Sequence, residues 1–420
     1  MTLTTTFNFK PRQPNCIFSP CRLNAQSRRL RSPAFAVFAL TSIVVFSLGC
    51  TKKAGEADIS GNTTSSATDE ILVGEYGSLT GGEATFGQST DNGIQLALAE
   101  RNTAGGVKGR KIKIIALDDA GKSEEAASTV TRLITQNKVV ALLGEVASSR
   151  SLAAAPIAQS NQIPLITPAS TNPKVTEVGD YIFRVCFIDP FQGTVMAKFA
   201  AENLKAKKVA ILRDVKSDYS VGLADFFIKK FKSLGGEIVS DASYQSGEID
   251  FKAQLTQIRS SKPDAIFVPG YYTEVGLIAR QAKQLGITAP LMGGDGWDSS
   301  KLYEIGKEAI NGGYFSNHYT TESTEPAVVE FIKKYKERFG GSTPDSMAAL
   351  GYDAANILFA AMDRSVTVTS KNIRDEIAKT KDFAGVTGKI TIDANRNANK
   401  PAVVVKVDGT VNRFVTTIAP

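Results

Sequence analysis

From Glu70 onward, short apolar runs alternate with stretches of helical period, and this alternation constrains the chain more than any other feature. The runs EILVGEY, RKIKIIALDD, VVALLGE and IPLIT read as largely buried strands. Between them GQSTDNGIQLALAERNTAGG, SEEAASTVTRLITQN and SRSLAAAPIAQSN read as helices. Strands separated by helices pair in parallel, because the helix carries the chain back to the starting edge. After Asp189-Pro190 the pattern restarts with FQGTVMAKFAAENLKA, KKVAILRD, SVGLADFFIKKFKSLGG, EIVSDASY, DFKAQLTQIRSS, DAIFVPG, EVGLIARQAKQLG and PLMGGD. Both halves contain a helix that stops at a glycine pair before a strand, at Gly105-Gly106 and Gly235-Gly236. The expectation is an α/β protein of two Rossmann-like lobes. The tail adds the helices PAVVEFIKKYKERFG, DSMAALGYDAANILFAAMDR and NIRDEIAKT, then GKITID and AVVVKVDGTVN.

A chain of 420 residues, 42% hydrophobic, has room for two full cores. Its net charge of +7 is a property of the leader. Residues 1–49 hold six of the 49 basic residues (Lys10, Arg12, Arg22, Arg28, Arg29, Arg31) and none of the 42 acidic ones. What remains is nearly neutral and lacks a basic stripe interleaved with aromatics, so nucleic acid is not a partner. The Arg-rich SRRLRSP, the apolar run to Leu48 and a small residue before cysteine make an export signal, too short for a structural membrane span. The ending SLGC resembles a lipobox with Cys50 as the lipidated residue; simple cleavage near Gly49 is the other reading. Residues 50–69, rich in Gly, Ser and Thr, read as a flexible tether. With Cys16 and Cys21 in the leader and Cys50 at its end, Cys186 is the single thiol of the domain, which therefore has no internal disulfide.

Two strand-like runs end in hydroxyl residues, Ser148-Ser149 and Ser170-Thr171. A serine nucleophile needs a base in reach, and the one histidine, His318, has no flanking motif and is assigned no role. GEVASS is not G-x-S-x-G. One histidine and one thiol cannot make a zinc site, AGKS at 120–123 lacks the earlier glycine of a phosphate loop, and no dinucleotide fingerprint opens a helix. The expectation is therefore no catalysis, no metal and no cofactor. Two readings of the hydroxyls stay open. They cap helices, or, beside free helix N–H groups at the carboxyl edge of a sheet, they donate to a bound anion.

The stretch GSLTGGEATFGQSTDNGIQLALAERNTAGGVKGRKIKIIALDDAGKSEEAAS, followed in order by TPASTNP, GYYTEVGLIARQAKQLG and GGDGWD, resembles the type I periplasmic binding proteins of the branched-chain amino acid (leucine/isoleucine/valine) class. The likeness runs from Glu70 to Gly409. It implies two lobes with a ligand cleft between them and three hinge crossovers, near Asp189-Pro190, Asn317–Tyr319 and Asn399–Pro401. Lobe 1 would be 70–188 plus 318–399, and lobe 2 would be 190–316 plus 400–420. Carried over by position, the α-carboxylate donors fall on Ser148 and Thr171 with backbone at Ala169 and Ser170. The α-ammonium acceptor falls on Asp295, aromatic walls on Phe86, Tyr219 and Tyr271, and a cleft-edge carboxylate on Asp189. Some members of that class carry a disulfide between the positions of Gly121 and Ala147, where this chain has no cysteine. Read without the resemblance, Asp295 between glycines is also a routine turn residue, Tyr271-Tyr272 strand-end packing, Asp189-Pro190 a turn pair, and Trp297 either core or cleft rim.

The implied function is that of an extracytoplasmic solute-binding lipoprotein, monomeric and anchored through Cys50, which closes on an apolar amino acid and hands it to an ABC permease of the inner membrane. The alternatives are an amide, urea-like or aromatic acid ligand, or a sensory module on the same fold.

Overall fold

The computed structural model describes residues 70–419. Its first five strands, β1 (Ile71–Gly77), β2 (Ile112–Asp118), β3 (Leu142–Leu143), β4 (Leu165–Thr167) and β5 (Ile182–Arg184), form a sheet in the order β2-β1-β3-β4-β5. Every pair in it is parallel. The crossovers are α1 (Ala84–Thr103), α2 (Ser123–Thr135), α3 (Ser148–Ser160) and the short α4 (Lys174–Glu177). Successive side chains of a strand point to opposite faces. Leu142, Leu165 and Ile182 accordingly pack with α2 and α3, while Leu143, Ile166 and Phe183 belong to the core that contains Phe86, Ile94 and Ala97 of α1. β1, β3, β4 and β5 are buried on both faces and have no polar side, which is why their runs carry no alternation in the sequence, whereas the edge strand β2 exposes Lys113.

The second group begins at α5 (Asp189–Lys198), which continues into a π-helical turn (Phe199–Asn203). It comprises β6 (Lys208–Asp214), α6 (Asp218–Ser233), β7 (Glu237–Tyr244), α7 (Lys252–Ser260), β8 (Ala265–Phe267), α8 (Tyr272–Gln284), β9 (Leu291–Gly293), α9 (Ser300–Gly306) and β10 (Tyr314–Asn317). Three helices follow, α10 (Pro326–Arg338), α11 (Ser346–Arg364) and α12 (Ser370–Ala378), and α11 packs along α1. A small antiparallel sheet of β11 (Phe383–Gly385), β12 (Gly388–Ile392) and β13 (Ala398–Asn399) precedes the final hairpin, β14 (Ala402–Asp408) and β15 (Val411–Ile418). The second sheet runs β15-β14-β10-β9-β8-β6-β7, parallel from β10 to β7 and antiparallel at the hairpin.

The end of α6 illustrates how the glycine pairs work. Gly235 takes φ +86°, open to a residue without Cβ at no steric cost. At Gly236 a Cβ would lie 2.3 Å from the Phe231 ring. The chain therefore turns tightly under the helix and enters β7 at Glu237. The core behind it is aromatic: Phe227 stacks on Phe267 with centroids 4.1 Å apart and on Phe231 at 5.5 Å. Cys186 is buried and free. Among the described residues no helix is long and apolar enough to cross a membrane.

The chain passes between the two sheets three times, at 185–188, after Asn317 and at 400–401. Asp189-Pro190 is not a turn pair. Asp189 is the first residue of α5, and Pro190 occupies the first turn, where its missing N–H costs no intrahelical bond.

Candidate functional site

The segments that follow β1, β3 and β4 at the carboxyl edge of one sheet meet those that follow β6 and β8 at the edge of the other. The lobes touch directly. Thr273 donates its hydroxyl to Gly82 O at 2.7 Å, and Thr85 Oγ1 lies 2.8 Å from Ser299 Oγ. The Ser149 hydroxyl donates to Asp218 Oδ2 at 2.9 Å and accepts from Asp218 N at 3.0 Å, while Asn172 Nδ2 donates to Asp218 O at 2.8 Å. These bonds hold the cleft closed.

The aromatic positions form one continuous wall across it. The Phe86 ring meets Tyr271 and Tyr272 edge-on, at 5.6 and 4.9 Å. Tyr271 stacks on Tyr219 at 5.3 Å with the planes 5° apart. Tyr271 and Tyr272 are not strand-end packing, since they open α8 and reach the partner lobe. The wall ends at Asp295, where the Tyr219 hydroxyl donates to Oδ1 at 3.0 Å and accepts from Gly296 N at 3.2 Å. Asp295 opens a single 3₁₀ turn, Asp295–Trp297. Its flanking glycines admit the wall: a Cβ on Gly294 would lie 2.4 Å from the Tyr219 hydroxyl, and one on Gly296 would lie 2.8 Å from Gly270 O. Trp297 is core, fully buried with its indole N–H bonded to Val268 O at 3.0 Å.

On the other lobe the hydroxyls divide. Ser148 is the first residue of α3, but Ala147 holds the cap position without a side-chain bond; the Ser148 oxygen accepts instead from Asn172 N at 3.2 Å. Its hydroxyl is thus not a cap of its own helix, and it ties the two hydroxyl loops together. Ser170 faces inward. Its hydroxyl meets Glu145 O, Val146 O and Ser151 Oγ at 2.7–3.0 Å, and its N–H donates to Thr167 Oγ1 at 2.9 Å. The hydroxyl and N–H of Ser170 therefore brace the loop, with neither left to donate to a ligand. Ala169 is buried in the same turn. Thr171 is fully buried, and its hydroxyl has no hydrogen-bond partner among the described residues. The Thr171 carbonyl accepts from Asp189 N at 3.0 Å, which places the two residues side by side.

Both carboxylate oxygens of the fully buried Asp189 also have no partner among the described residues. Burial pushes its carboxyl up to about 8, helped by the charge of Asp295 and held back by the Thr171 hydroxyl and the Arg184 guanidinium. Arg184 lies beneath the loop with Nη2 on Asn172 O at 2.8 Å and Nη1 on Ser170 O. A buried cation thus stands behind the hydroxyl loop, and burial holds its own pKa below the usual guanidinium value.

Two residues were missed from the sequence. Gln192, one turn after Asp189 in α5, donates Nε2 to Asp295 Oδ1 at 2.7 Å. His318 is not a roleless linker histidine: it is buried with Nε2 2.9 Å from Asp295 Oδ2. Its position at a crossover was the available signal.

The Gly121 and Ala147 loops are joined by charge. Arg150 donates Nη1 to Gly121 O at 3.3 Å and pairs with Glu145 at 3.0 Å and Glu83 at 2.6 Å; Glu145 in turn accepts from Ala147 N. Cys50 lies outside the described residues.

The periplasmic binding protein family model matches residues 70–411, and the chain belongs to that family. It is similar to the leucine binding protein LivK of Thermotoga maritima, with 44% identity, a TM-score of 0.81 and coverage of 83% of this chain and 99% of that one. It is also similar to LivJ of Streptococcus pneumoniae, a branched-chain amino acid transporter substrate binding protein solved with isoleucine. There the identity is 35%, the TM-score 0.80 and the coverage 84% and 100%. An amino acid binding protein of Pseudomonas aeruginosa is 34% identical over 71% of this chain and 79% of that protein. The architecture is therefore that of type I periplasmic binding proteins, two lobes closing on a cleft, a family of exported proteins that bind solutes.

Proposed function

We propose that this protein binds a branched-chain or other apolar amino acid between its lobes and delivers it to the permease of an ABC importer. The lobes we assign are 70–188 plus 318–399 and 190–316 plus 400–420, hinged at the three passages between the sheets. One observation carries the reading. The Thr171 hydroxyl and the Asp189 carboxyl are adjacent and buried, with no partner beyond each other among the described residues, in electrostatic reach of Asp295. A buried polar group without a partner costs about 1–3 kcal/mol, and a zwitterion supplies partners to both kinds at once. Its carboxylate accepts from Ser148 and Thr171 over the Arg184-braced loop. Its ammonium lies toward Asp295 and Asp189, and its apolar side chain runs along Phe86 and Tyr271. The similarity to the leucine- and isoleucine-binding proteins supports the same ligand class.

Calorimetric titration with leucine, isoleucine and valine tests this, with 4-methylpentanoate and benzoate as acids lacking an ammonium. Leucine should bind and the two acids should not. Asp295→Ala should weaken leucine by about 2–5 kcal/mol. Thr171→Val should cost about 1.5–3 kcal/mol of affinity while leaving the melting temperature of the free protein unchanged. Equal binding of leucine and 4-methylpentanoate refutes the assignment.

The export signal ending in SLGC supports lipidation at Cys50, which would keep the protein at the membrane beside its permease. Mass spectrometry of the mature terminus should find a diacylglycerol-modified Cys50; an unmodified terminus downstream of it refutes the anchor.

A further inference from the structure

The one histidine of the chain stands where all three passages between the lobes converge. His318 directly follows β10 and is fully buried on its ring. It stacks on Phe187 of the first passage, centroids 3.8 Å apart and planes within 20°. Lys400 of the third passage donates to Val185 O of the first at 3.5 Å and to Thr387 Oγ1. The ring plane is therefore fixed by packing, and the edge that carries Nε2 is aimed at Asp295.

We infer that His318 is a positioning residue for ligand binding, a neutral donor that fixes the Asp295 carboxylate without cancelling its charge. This rests on the reading of Asp295 as the ammonium acceptor. Three donors converge on that carboxylate: Gln192 at 2.7 Å and Tyr219 at 3.0 Å on Oδ1, His318 at 2.9 Å on Oδ2. All three are uncharged when the imidazole is neutral, so the full negative charge stays available to the ligand. An imidazolium in the same place would pair with Asp295 and compete with the ammonium.

The surroundings favour the neutral ring. Nε2 faces a carboxylate and so carries the proton, which leaves Nδ1 as the lone-pair nitrogen. Nδ1 has no partner among the described residues. A second proton there would create a buried donor with nothing to accept it. The charged groups that act on the ring are Asp295 and Asp298, which favour the cation, and Lys400, which opposes it. Burial is the largest influence and holds the imidazole below its ordinary value of 6.5. Ligand affinity should therefore be lost as the pH falls through the imidazole's lowered pKa.

The experiment is titration with leucine from about pH 8 down to the lowest pH at which the protein stays folded, on Asp189→Asn, which removes the overlapping titration of that carboxyl near 8, and on His318→Gln, His318→Phe and Asp295→Ala made in the same background. Glutamine keeps an amide N–H near the Nε2 position and does not titrate; phenylalanine keeps the stack on Phe187 and removes the donor. His318→Phe should weaken leucine on the order of tenfold to a hundredfold at neutral pH. His318→Gln should stay within about threefold of the parent and lose its acid decline. If Asp295→Ala weakens leucine but His318→Phe does not, or if His318→Gln keeps the acid decline, the inference is overturned and the amino acid reading stands. If Asp295→Ala binds leucine normally, both fall. If His318→Phe melts before it can be titrated, the pH profile of His318→Gln decides alone.

Discussion

The contact between Ser149 and Asp218 sets how firmly the lobes close, and Ser149→Ala measures it. One hydroxyl makes two bonds across the cleft, to the Asp218 carboxylate at 2.9 Å and from the Asp218 amide at 3.0 Å. A hydrogen bond to a charged group is worth about 1.5–3 kcal/mol and a neutral one about 0.5–1.5 kcal/mol. Both residues are half-buried even when closed, and water replaces both bonds on opening, so the sum is discounted to about 1–2 kcal/mol. The Asn172 bond to the Asp218 carbonyl survives and limits the loss. A change of that size lowers the closed-to-open ratio by about 5- to 30-fold. Where the open form dominates without ligand, apparent affinity falls by the same factor. Calorimetry with leucine gives the affinity, stopped-flow fluorescence the release rate, and small-angle scattering the compaction on binding. The expected outcome is weaker binding through faster release, with an unchanged melting temperature of the free protein. Unchanged affinity and release rate would refute the reasoning, because the contact would then contribute nothing to closure.

Two further outcomes are expected. Asp189 has a folded pKa raised to about 8 from 3.8, so the folded state binds more protons than the unfolded one between those values. Its contribution to stability is full below the lower value and is lost as pH rises toward about 8. Urea unfolding of the free protein should show this decline, and Asp189→Asn should flatten it. Phe227→Ala empties a stack between Phe267 and Phe231 and should cost about 3–5 kcal/mol by denaturant unfolding, with leucine affinity unchanged in the protein that remains folded.

The β-α alternation was readable because each element carries its own local signal. β7 spans the run EIVSDASY from end to end, and α3 begins and ends within a residue or two of its apolar period. The run VVALLGE pairs as a strand only at Leu142–Leu143, although Val140 N still bonds Leu72 O and Gly144 N bonds Ile166 O. Contacts made across the fold left no local trace. Gln192 meets Asp295 over a separation of 103 residues, and the partner of His318 depends on β9 and β10 being neighbours in the sheet. The pattern S-T could not say which hydroxyl turns inward, because Ser170 is committed by the carbonyls of Glu145 and Val146, in the loop after another strand. Asp189-Pro190 kept a turn as its alternative reading for a related reason: the same pair suits the first turn of a helix, and only the chain that follows decides between them.

The ionic clip of Arg150 to Gly121, Glu145 and Glu83 joins two loops that a disulfide could have tied instead. A bond of that kind forms only after thiols meet an oxidant, whereas this one assembles as the chain collapses. Once the chain has been exported, maturation of this lobe need not wait on an oxidase, and shifts in the thiol balance of the surroundings leave it unmoved. The single cysteine of the domain, shut inside beside the hinge, has no counterpart with which to mispair.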